Sequence, residues 1–263
     1  MKEKTLSDLL SEQHNHVFII TLNRTNKHNA FDDNLLIALQ QALDNAIANS
    51  QVRVIILKAN GRHFSAGADL AWMQRVAEYS EEENLEDAMI LARLMYTLNQ
   101  SPKPTIAMVQ GAALGGGAGL AAACDIAIAG TSARFCFSEV KLGLIPAVIS
   151  PYVIKAIGER AAKHLFMTAE AFDAQQALRL QLVQHCVADE VLWPFTLNYA
   201  EQIAKLAPQA VNDCKPLVAQ IAGKTINEDL IHQTAALIAK KRISAEGQQG
   251  LRAFLNKETP NWS

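Results

Sequence analysis

Short apolar runs rich in β-branched residues recur through the first half of the chain. The clearest runs cover positions 17–22, 52–57, 105–109 and 126–129, and polar or glycine-containing segments bound each of them. Runs of about 4–8 such residues between turn signals are typical of buried strands. We therefore predict a strand at each of these four positions.

Between these strands, apolar residues recur at helical spacing. A helix capped by Asp32 or Asp33 would present an apolar face made of Leu36, Leu39, Leu43 and Ile47. Ser80 and Glu83 have the spacing of a capping box, which predicts that a second helix begins there and runs toward Leu98.

From position 151 onward, helical patterns dominate the sequence. The predicted helices cover 161–166, 174–180, 191–206, 208–222, a segment that begins at a Thr225/Glu228 capping box, and 244–255. The sequence therefore predicts an α/β fold, in which repeated strand–strand–helix turns fill residues 1–195 and a helical region fills residues 196–263.

Glycine is concentrated where two of the strands give way to helices. Five glycines fall within positions 111–119, ahead of a short helix predicted at 116–123, and a second corner at 64–69 contains Gly67. Glycine costs conformational entropy, so this density indicates tight turns or close approach of the backbone to something else. A helix that opens at such a corner presents bare N–H groups. Two corners together predict a site for an anion or an oxyanion.

A dinucleotide site is the main alternative for the glycine segment. Gly117, Gly119 and Ala122 fit a G-x-G-x-x-A fingerprint, and Glu139 follows about 20 residues later. However, the strand at 126–129 begins so soon that only about two helical turns fit before it, and a parallel crossover needs a helix of about ten residues. We therefore predict that the chain binds no NAD.

In their order along the chain, these motifs resemble the enoyl-CoA hydratase/isomerase family, the crotonase superfamily. The resemblance rests on Phe-Ser-Ala-Gly-Ala-Asp at 64–69, Leu-Gly-Gly-Gly at 114–117, Phe-Ser-Glu at 137–139 and Leu-Gly-Leu-Ile-Pro at 142–146. It implies a crotonase-type spiral of ββα turns, with C-terminal helices that hold a homotrimer or a dimer of trimers together. It also implies that the N–H groups of Ala68 and Gly116 form an oxyanion hole for an acyl-CoA thioester carbonyl.

Glu139 is the predicted acid–base group. The apolar segments on both sides of it disfavour its charged form and should raise its pKa. Many hydratases of the family carry a second glutamate two residues after the glycine triplet, where this chain has Gly119. Family members with a single carboxylate include enoyl-CoA isomerases, so the resemblance leaves hydration and isomerisation both open.

The segment at 139–153 is similar to bacterial hydratases of 3-methylglutaconyl-CoA or carboxygeranoyl-CoA. Such substrates carry a distal carboxylate. Glycine at position 119 would leave room for that carboxylate, or for its water, and would avoid repulsion between like charges.

The resemblance also implies which residues bind the substrate. Arg24, Lys27 and His28 would lie near the adenine and phosphates of CoA, and Lys257 would reach a CoA phosphate. The pantetheine, thioester and acyl group would run past Ala66, Ala68, Asp69, Leu70, Gly116 and Gly119. For Asp69, a helix N-cap is the alternative role.

Composition and charge argue against some classes of binding partner. It has 263 residues, a formal net charge of −2 and a pI of about 6.4, which argues against nucleic acid or an anionic membrane as a partner. The N-terminal residues have no apolar core typical of a signal peptide, so we expect a cytoplasmic protein. Coenzyme A would be part of the substrate, and we expect no separate cofactor and no metal.

The resemblance thus implies a hydratase that adds water to an α,β-unsaturated acyl-CoA, with a branched or carboxylated acyl group. The second hypothesis is a Δ3-Δ2 enoyl-CoA isomerase that uses Glu139 alone. A non-catalytic family member that binds acyl-CoA or RNA is the third, and the net charge of −2 argues against RNA.

Overall fold

A computed structural model describes residues 7–262 of the chain. The strands in this range are β1 (Leu9–His14), β2 (Val17–Leu22), β3 (Val54–Ala59), β4 (Thr105–Val109), β5 (Ala112–Leu114), β6 (Ile126–Gly130), β7 (Arg134–Cys136), β8 (Phe172–Asp173) and β9 (His185–Val187). Each of the four predicted strands is present, although β3 begins two residues later than predicted.

Helices connect and follow these strands. They are α1 (Asp33–Ala48), α2 (Leu70–Val76), α3 (Glu81–Gln100), α4 (Gly116–Ala123), α5 (Ser150–Thr168), α6 (Ala174–Arg179), α7 (Asp189–Ala204), α8 (Pro208–Ile221), α9 (Glu228–Ile243) and α10 (Ala245–Asn256). The predicted caps of α1 and α3 are confirmed, with Asp32 accepting from Leu35 and Ser80 exchanging bonds with Glu83. The predicted Thr225/Glu228 capping box is wrong, because the Asn227 side chain caps α9.

The strands form two sheets, and the chain alternates between them. The larger sheet has the order β1-β2-β3-β4-β6-β9 and is parallel except for the β1–β2 pair. The smaller sheet has the order β5-β7-β8. In successive turns β4 leads to β5 and α4, and β6 leads to β7 and α5. This repeated strand–strand–helix path confirms the predicted crotonase-type spiral.

The hydrophobic core lies between the larger sheet and the helices around it. Leu36, Leu39 and Leu43 of α1 are buried as predicted, and Ile47 packs against the same core while partly buried. The segment Phe135–Phe137 is also buried, with the ring of Phe137 edge-on to the ring of Phe166. Close packing of this segment fixes the backbone immediately before Glu139 and so limits where the carboxylate can lie.

Internal contacts divide the chain into two compact units, one up to Ala200 and the other from Glu201 onward. The first unit contains both sheets and the helices from α1 to α6, and the second contains α8, α9 and α10. The boundary predicted after residue 195 stays a prediction. Within residues 7–262, no helix is both long enough and apolar enough to cross a membrane.

Candidate active site

The two glycine corners lie side by side. Ser65 forms an isolated parallel bridge with Ala113 of β5: its N–H donates to the Ala112 carbonyl, and its carbonyl accepts from Leu114, both at 3.0 Å. A Cβ atom on Gly67 would lie 3.1 Å from the Leu114 carbonyl oxygen, and Gly67 has φ +89°. The corner that contains Gly67 therefore lies against the end of β5, just before the second corner.

The direction of the Ala68 N–H follows from the bonds beside it. Phe31 donates its N–H to the Gly67 carbonyl at 2.9 Å, and the Asp69 N–H donates to the Phe31 carbonyl at 2.9 Å. The Gly67 carbonyl and the Ala68 N–H belong to one trans peptide, so they point in opposite directions. The Ala68 N–H is thus directed away from Phe31, and it has no hydrogen-bond acceptor among residues 7–262.

Gly116 supplies the second bare amide. It is the first residue of α4, where an N–H has no partner within its own helix. Among the described residues, the Gly116 N–H has no acceptor either. Its neighbour Gly115 has φ +50° and donates to the Cys136 carbonyl at 2.9 Å. This sharp turn, which favours glycine, points the start of α4 toward the first corner.

A hydroxyl group that the sequence analysis missed holds the first corner in place. The Ser65 Oγ donates to the Asn29 carbonyl at 2.9 Å and accepts the Gly67 N–H at 3.2 Å. A Cβ atom on Gly117 would lie 2.8 Å from the Ser65 Cβ, so α4 packs directly on this serine. Ser65 thereby links three segments that are distant in sequence, a role that its place in the motif did not reveal.

Glu139 brings a carboxylate to the second corner. It opens a short 3-10 helix, Glu139–Leu142, directly after the buried Phe135–Phe137 segment. A Cβ atom on Gly115 would lie 3.2 Å from the Glu139 Oε1. The Oε2 atom is buried and has no hydrogen-bond partner among the described residues. Burial raises the pKa of Glu139, although a bond from its own backbone N–H partly opposes this, and the raised pKa agrees with the sequence prediction.

The space beside Gly119 is filled, whereas the sequence analysis expected it to be free for a substrate carboxylate or its water. A Cβ atom there would lie 2.2 Å from the Ile149 Cγ2 and 3.1 Å from the Met95 Cε, and Ile149 is itself buried. The side chains of Ile149 and Met95 therefore fill the room that a glutamate would need. The expectation that Gly119 makes room for a substrate carboxylate is wrong, because that volume is already occupied by apolar atoms.

Asp69 takes the N-cap role that the sequence left open. Its Oδ1 accepts the N–H groups of Ala71 and Trp72 at the start of α2. Its Oδ2 is 2.7 Å from the Lys27 Nζ and 3.4 Å from the Arg24 Nη1. The bond from Lys27 holds the pKa of Asp69 below its usual range, helped by the two backbone N–H groups and the charge of Arg24. The three predicted residues Arg24, Lys27 and Asp69 therefore form one cluster.

The other predicted binding residues occupy different settings. Ala66 is half-buried and donates its N–H to the His28 carbonyl, whereas the side chain of Leu70 is exposed at the start of α2. Lys257 follows α10 in the second unit, at a left-handed position with φ +58°. The assignments of Ala66, Leu70 and Lys257 to CoA stay predictions.

Known proteins are similar to this chain over nearly its whole length. The sequence model of the enoyl-CoA hydratase/isomerase family matches residues 12–263. A crystal structure from Legionella pneumophila, provisionally named an enoyl-CoA hydratase/isomerase (crotonase), is 66% identical, with a TM-score of 0.96 and coverage of 98% of this chain and 100% of that one.

Two curated relatives carry names from different reactions. The 2,3-dehydroadipyl-CoA hydratase of Escherichia coli is 31% identical over 98% of this chain and 99% of that protein. The trans-2-decenoyl-[acyl-carrier-protein] isomerase of Streptococcus mutans is 29% identical over 97% of this chain and 98% of that protein. With the match of the family model and the paired corners, these likenesses establish that the chain is an enzyme of the enoyl-CoA hydratase/isomerase family.

Proposed function

We propose that the enzyme is an enoyl-CoA hydratase, which adds water across the C2–C3 double bond of an α,β-unsaturated acyl-CoA. The observation that carries this proposal is the unpartnered Oε2 of Glu139, buried beside the corner that opens with the unpaired Gly116 N–H. A carboxylate and two bare amides are what the reaction needs: a base for water and donors for the thioester oxygen.

One carboxylate can carry out both proton transfers. The thioester carbonyl accepts from the Ala68 and Gly116 N–H groups. As the water oxygen bonds to C3, Glu139 takes one proton from it, and the electrons of the double bond move to the thioester oxygen as an enolate. The protonated Glu139 then returns that proton to C2, so the net change is the addition of one water. Burial favours this exchange because it brings the pKa of Glu139 closer to neutral pH.

The proposed substrate is branched or carboxylated, with 3-methylglutaconyl-CoA as the example. Two observations support it. The relative from Escherichia coli is named for an acyl group derived from a dicarboxylic acid, and residue 119 is a glycine, which carries no charge that would repel a substrate carboxylate. Since Ile149 and Met95 fill the space beside Gly119, a distal carboxylate would have to lie elsewhere in the site.

Isomerisation of the double bond is the second candidate, and a specific observation favours it. Because position 119 is a glycine, Glu139 is the one carboxylate at the two positions where many hydratases of the family carry glutamate. A single carboxylate suffices to move a proton between C4 and C2 without adding water. The relative from Streptococcus mutans is named for an isomerisation.

The identity of the product separates the two reactions. Purified enzyme is incubated with a 2-enoyl-CoA, a 3-enoyl-CoA and 3-methylglutaconyl-CoA, and the products are identified by mass. Hydration predicts a 3-hydroxyacyl-CoA from the 2-enoyl substrates, and a higher kcat/KM for 3-methylglutaconyl-CoA than for crotonyl-CoA. If the enzyme converts only the 3-enoyl-CoA, into a product of unchanged mass with the ultraviolet absorption of a conjugated 2-enoyl thioester, isomerisation is the correct assignment.

Two further expectations belong to this proposal. A homotrimer or a dimer of trimers is expected from the family, and light scattering of the purified enzyme tests it. The cytoplasmic location also stays a prediction, which fractionation of cells tests.

A further inference from the structure

The side chain of Arg24 is turned into the protein. Only 9% of the residue is exposed, although its sequence position lies in a polar loop after β2. Its Nη1 donates to the Ala30 carbonyl at 3.0 Å, and its Nη2 is 2.9 Å from the Asp32 Oδ2. Its Nε is 3.4 Å from the Asp8 Oδ2. Each nitrogen of the guanidinium thus has an acceptor within the chain.

These acceptors surround one backbone feature. Ala30 and Asp32 are the two neighbours of Phe31, and Asp69, which Arg24 Nη1 also contacts at 3.4 Å, directly follows Ala68. Phe31 and Ala68 are the pair joined by the isolated bridge. Arg24 therefore holds the residues on both sides of the bridge that directs the Ala68 N–H.

Lys27 differs from Arg24 in exposure although both contact Asp69. The Lys27 side chain is 44% exposed, whereas the Arg24 side chain is 10% exposed. An arginine with all of its nitrogens engaged has little left to offer a phosphate, and pulling it out would leave the buried Asp69 with less compensation. The exposed Lys27 is better placed to meet a ligand from solvent.

We propose that Arg24 is a positioning residue that fixes the Ala68 N–H of the oxyanion hole by clamping the Phe31–Ala68 bridge, and that it does not bind CoA phosphates. The inference rests on the proposed function only in that Ala68 must donate to a thioester oxygen. It replaces the role that family resemblance gives to Arg24.

The test compares Arg24→Lys with wild-type enzyme on two substrates. Lysine keeps the charge, but its single ammonium nitrogen cannot reach the four acceptors that the planar guanidinium contacts. One substrate is an enoyl-CoA, and the other is the matching enoyl-pantetheine, which lacks the nucleotide and its phosphates. Positioning predicts that kcat falls about 10-fold to 100-fold on both substrates, the scale of a misplaced catalytic group, with little change in KM. Arg179→Lys, at an exposed position at the end of α6, is the matched control.

A phosphate-binding role predicts the opposite pattern. KM for the enoyl-CoA would then rise, kcat would hold, and the enoyl-pantetheine would react equally well with both enzymes. That result, in a folded Arg24→Lys protein, overturns the proposal.

A spectroscopic readout separates this inference from the proposed hydration. A chromophoric, unreactive acyl-CoA thioester shifts its absorption to longer wavelength when its carbonyl is polarised by donors. If wild-type enzyme produces the shift but hydrates nothing, hydration is wrong, and the inference on Arg24 is still decided by the shift. Positioning predicts a smaller shift with Arg24→Lys, and an unchanged shift contradicts it.

Asp69→Asn provides the same test if Arg24→Lys fails to fold. Asparagine keeps an oxygen that can cap α2, so the helix is retained, but the ion pairs with Arg24 and Lys27 are both lost. We expect the shift and kcat to fall in this variant as well. A folded Asp69→Asn protein with the full shift would refute the clamp.

Discussion

The amide of Gly116 offers the sharpest test of the oxyanion hole, because proline removes an N–H without ending the helix. Gly116 is the first residue of α4, the one helical position where proline is well tolerated. However, a Cβ atom there would lie 2.5 Å from the Phe31 Cζ. Proline and alanine both introduce this contact, but only proline loses the donor. The pair of variants therefore separates the change at the amide nitrogen from the contact of the new Cβ with Phe31.

The background for this comparison is Phe31→Leu, which removes the Cζ atom that the new Cβ would meet. In that background, Gly116→Ala should keep most of the activity. Gly116→Pro should have a kcat about 10² to 10³ lower than Gly116→Ala, which corresponds to about 2.7–4 kcal/mol for one lost oxyanion donor.

The assay is hydration of a saturating enoyl-CoA, followed by the loss of its ultraviolet absorption. Circular dichroism and thermal unfolding of each variant show whether the fold is retained. Equal kcat values for the proline and alanine variants, both folded, would refute the role of the Gly116 amide.

Further predictions concern Glu139 and the packing of side chains around Gly119. Glu139→Gln should lower kcat by at least about 10², the usual scale for a positioned proton-transfer group, and full activity would exclude Glu139 as the base. Because the pKa of Glu139 is raised in the folded state, its contribution to stability is present below the unfolded pKa and is lost as pH rises through the folded pKa. Above the folded-state pKa of Glu139, the Glu139→Gln variant should therefore melt at a higher temperature than wild type. The difference in melting temperature should shrink as pH falls, and a difference that grows as pH falls would contradict the raised pKa. Gly119→Ala should lower the free energy of unfolding, since its Cβ would lie 2.2 Å from the Ile149 Cγ2. Adding Ile149→Ala should recover part of that loss in denaturant titrations, and simple additivity of the two changes would count against the contact.

Features that depend on neighbouring residues could be predicted from the sequence. The cap at Asp32, the capping box at Ser80 and Glu83, and both ends of α4 appear where the sequence places them. Each of these is decided by hydrogen bonds within about one helical turn. The burial of Glu139 could be predicted for the same reason, because the apolar residues around it are close in sequence.

Features that depend on distant segments could not be predicted in this way. Five of the six residues of β1 are exposed and four of those five are polar, so no hydrophobic pattern marked it as a strand. The direction of Arg24 is set by Asp8, Asp32 and Asp69, which come from three separate segments. Likewise, Ile149 fills the space beside Gly119 from thirty positions further along, which only the folded chain reveals.

The stereochemistry of hydration in deuterated water tests most directly whether Glu139 serves both proton transfers. A single carboxylate lies on one face of the double bond, and it hands to C2 the deuteron that it took from the attacking water. The account therefore predicts a 3-hydroxyacyl-CoA with one deuterium at C2, on the same face as the new hydroxyl group, as read by proton magnetic resonance of the product. Deuterium on the opposite face, or spread over both faces during a single turnover, would contradict it.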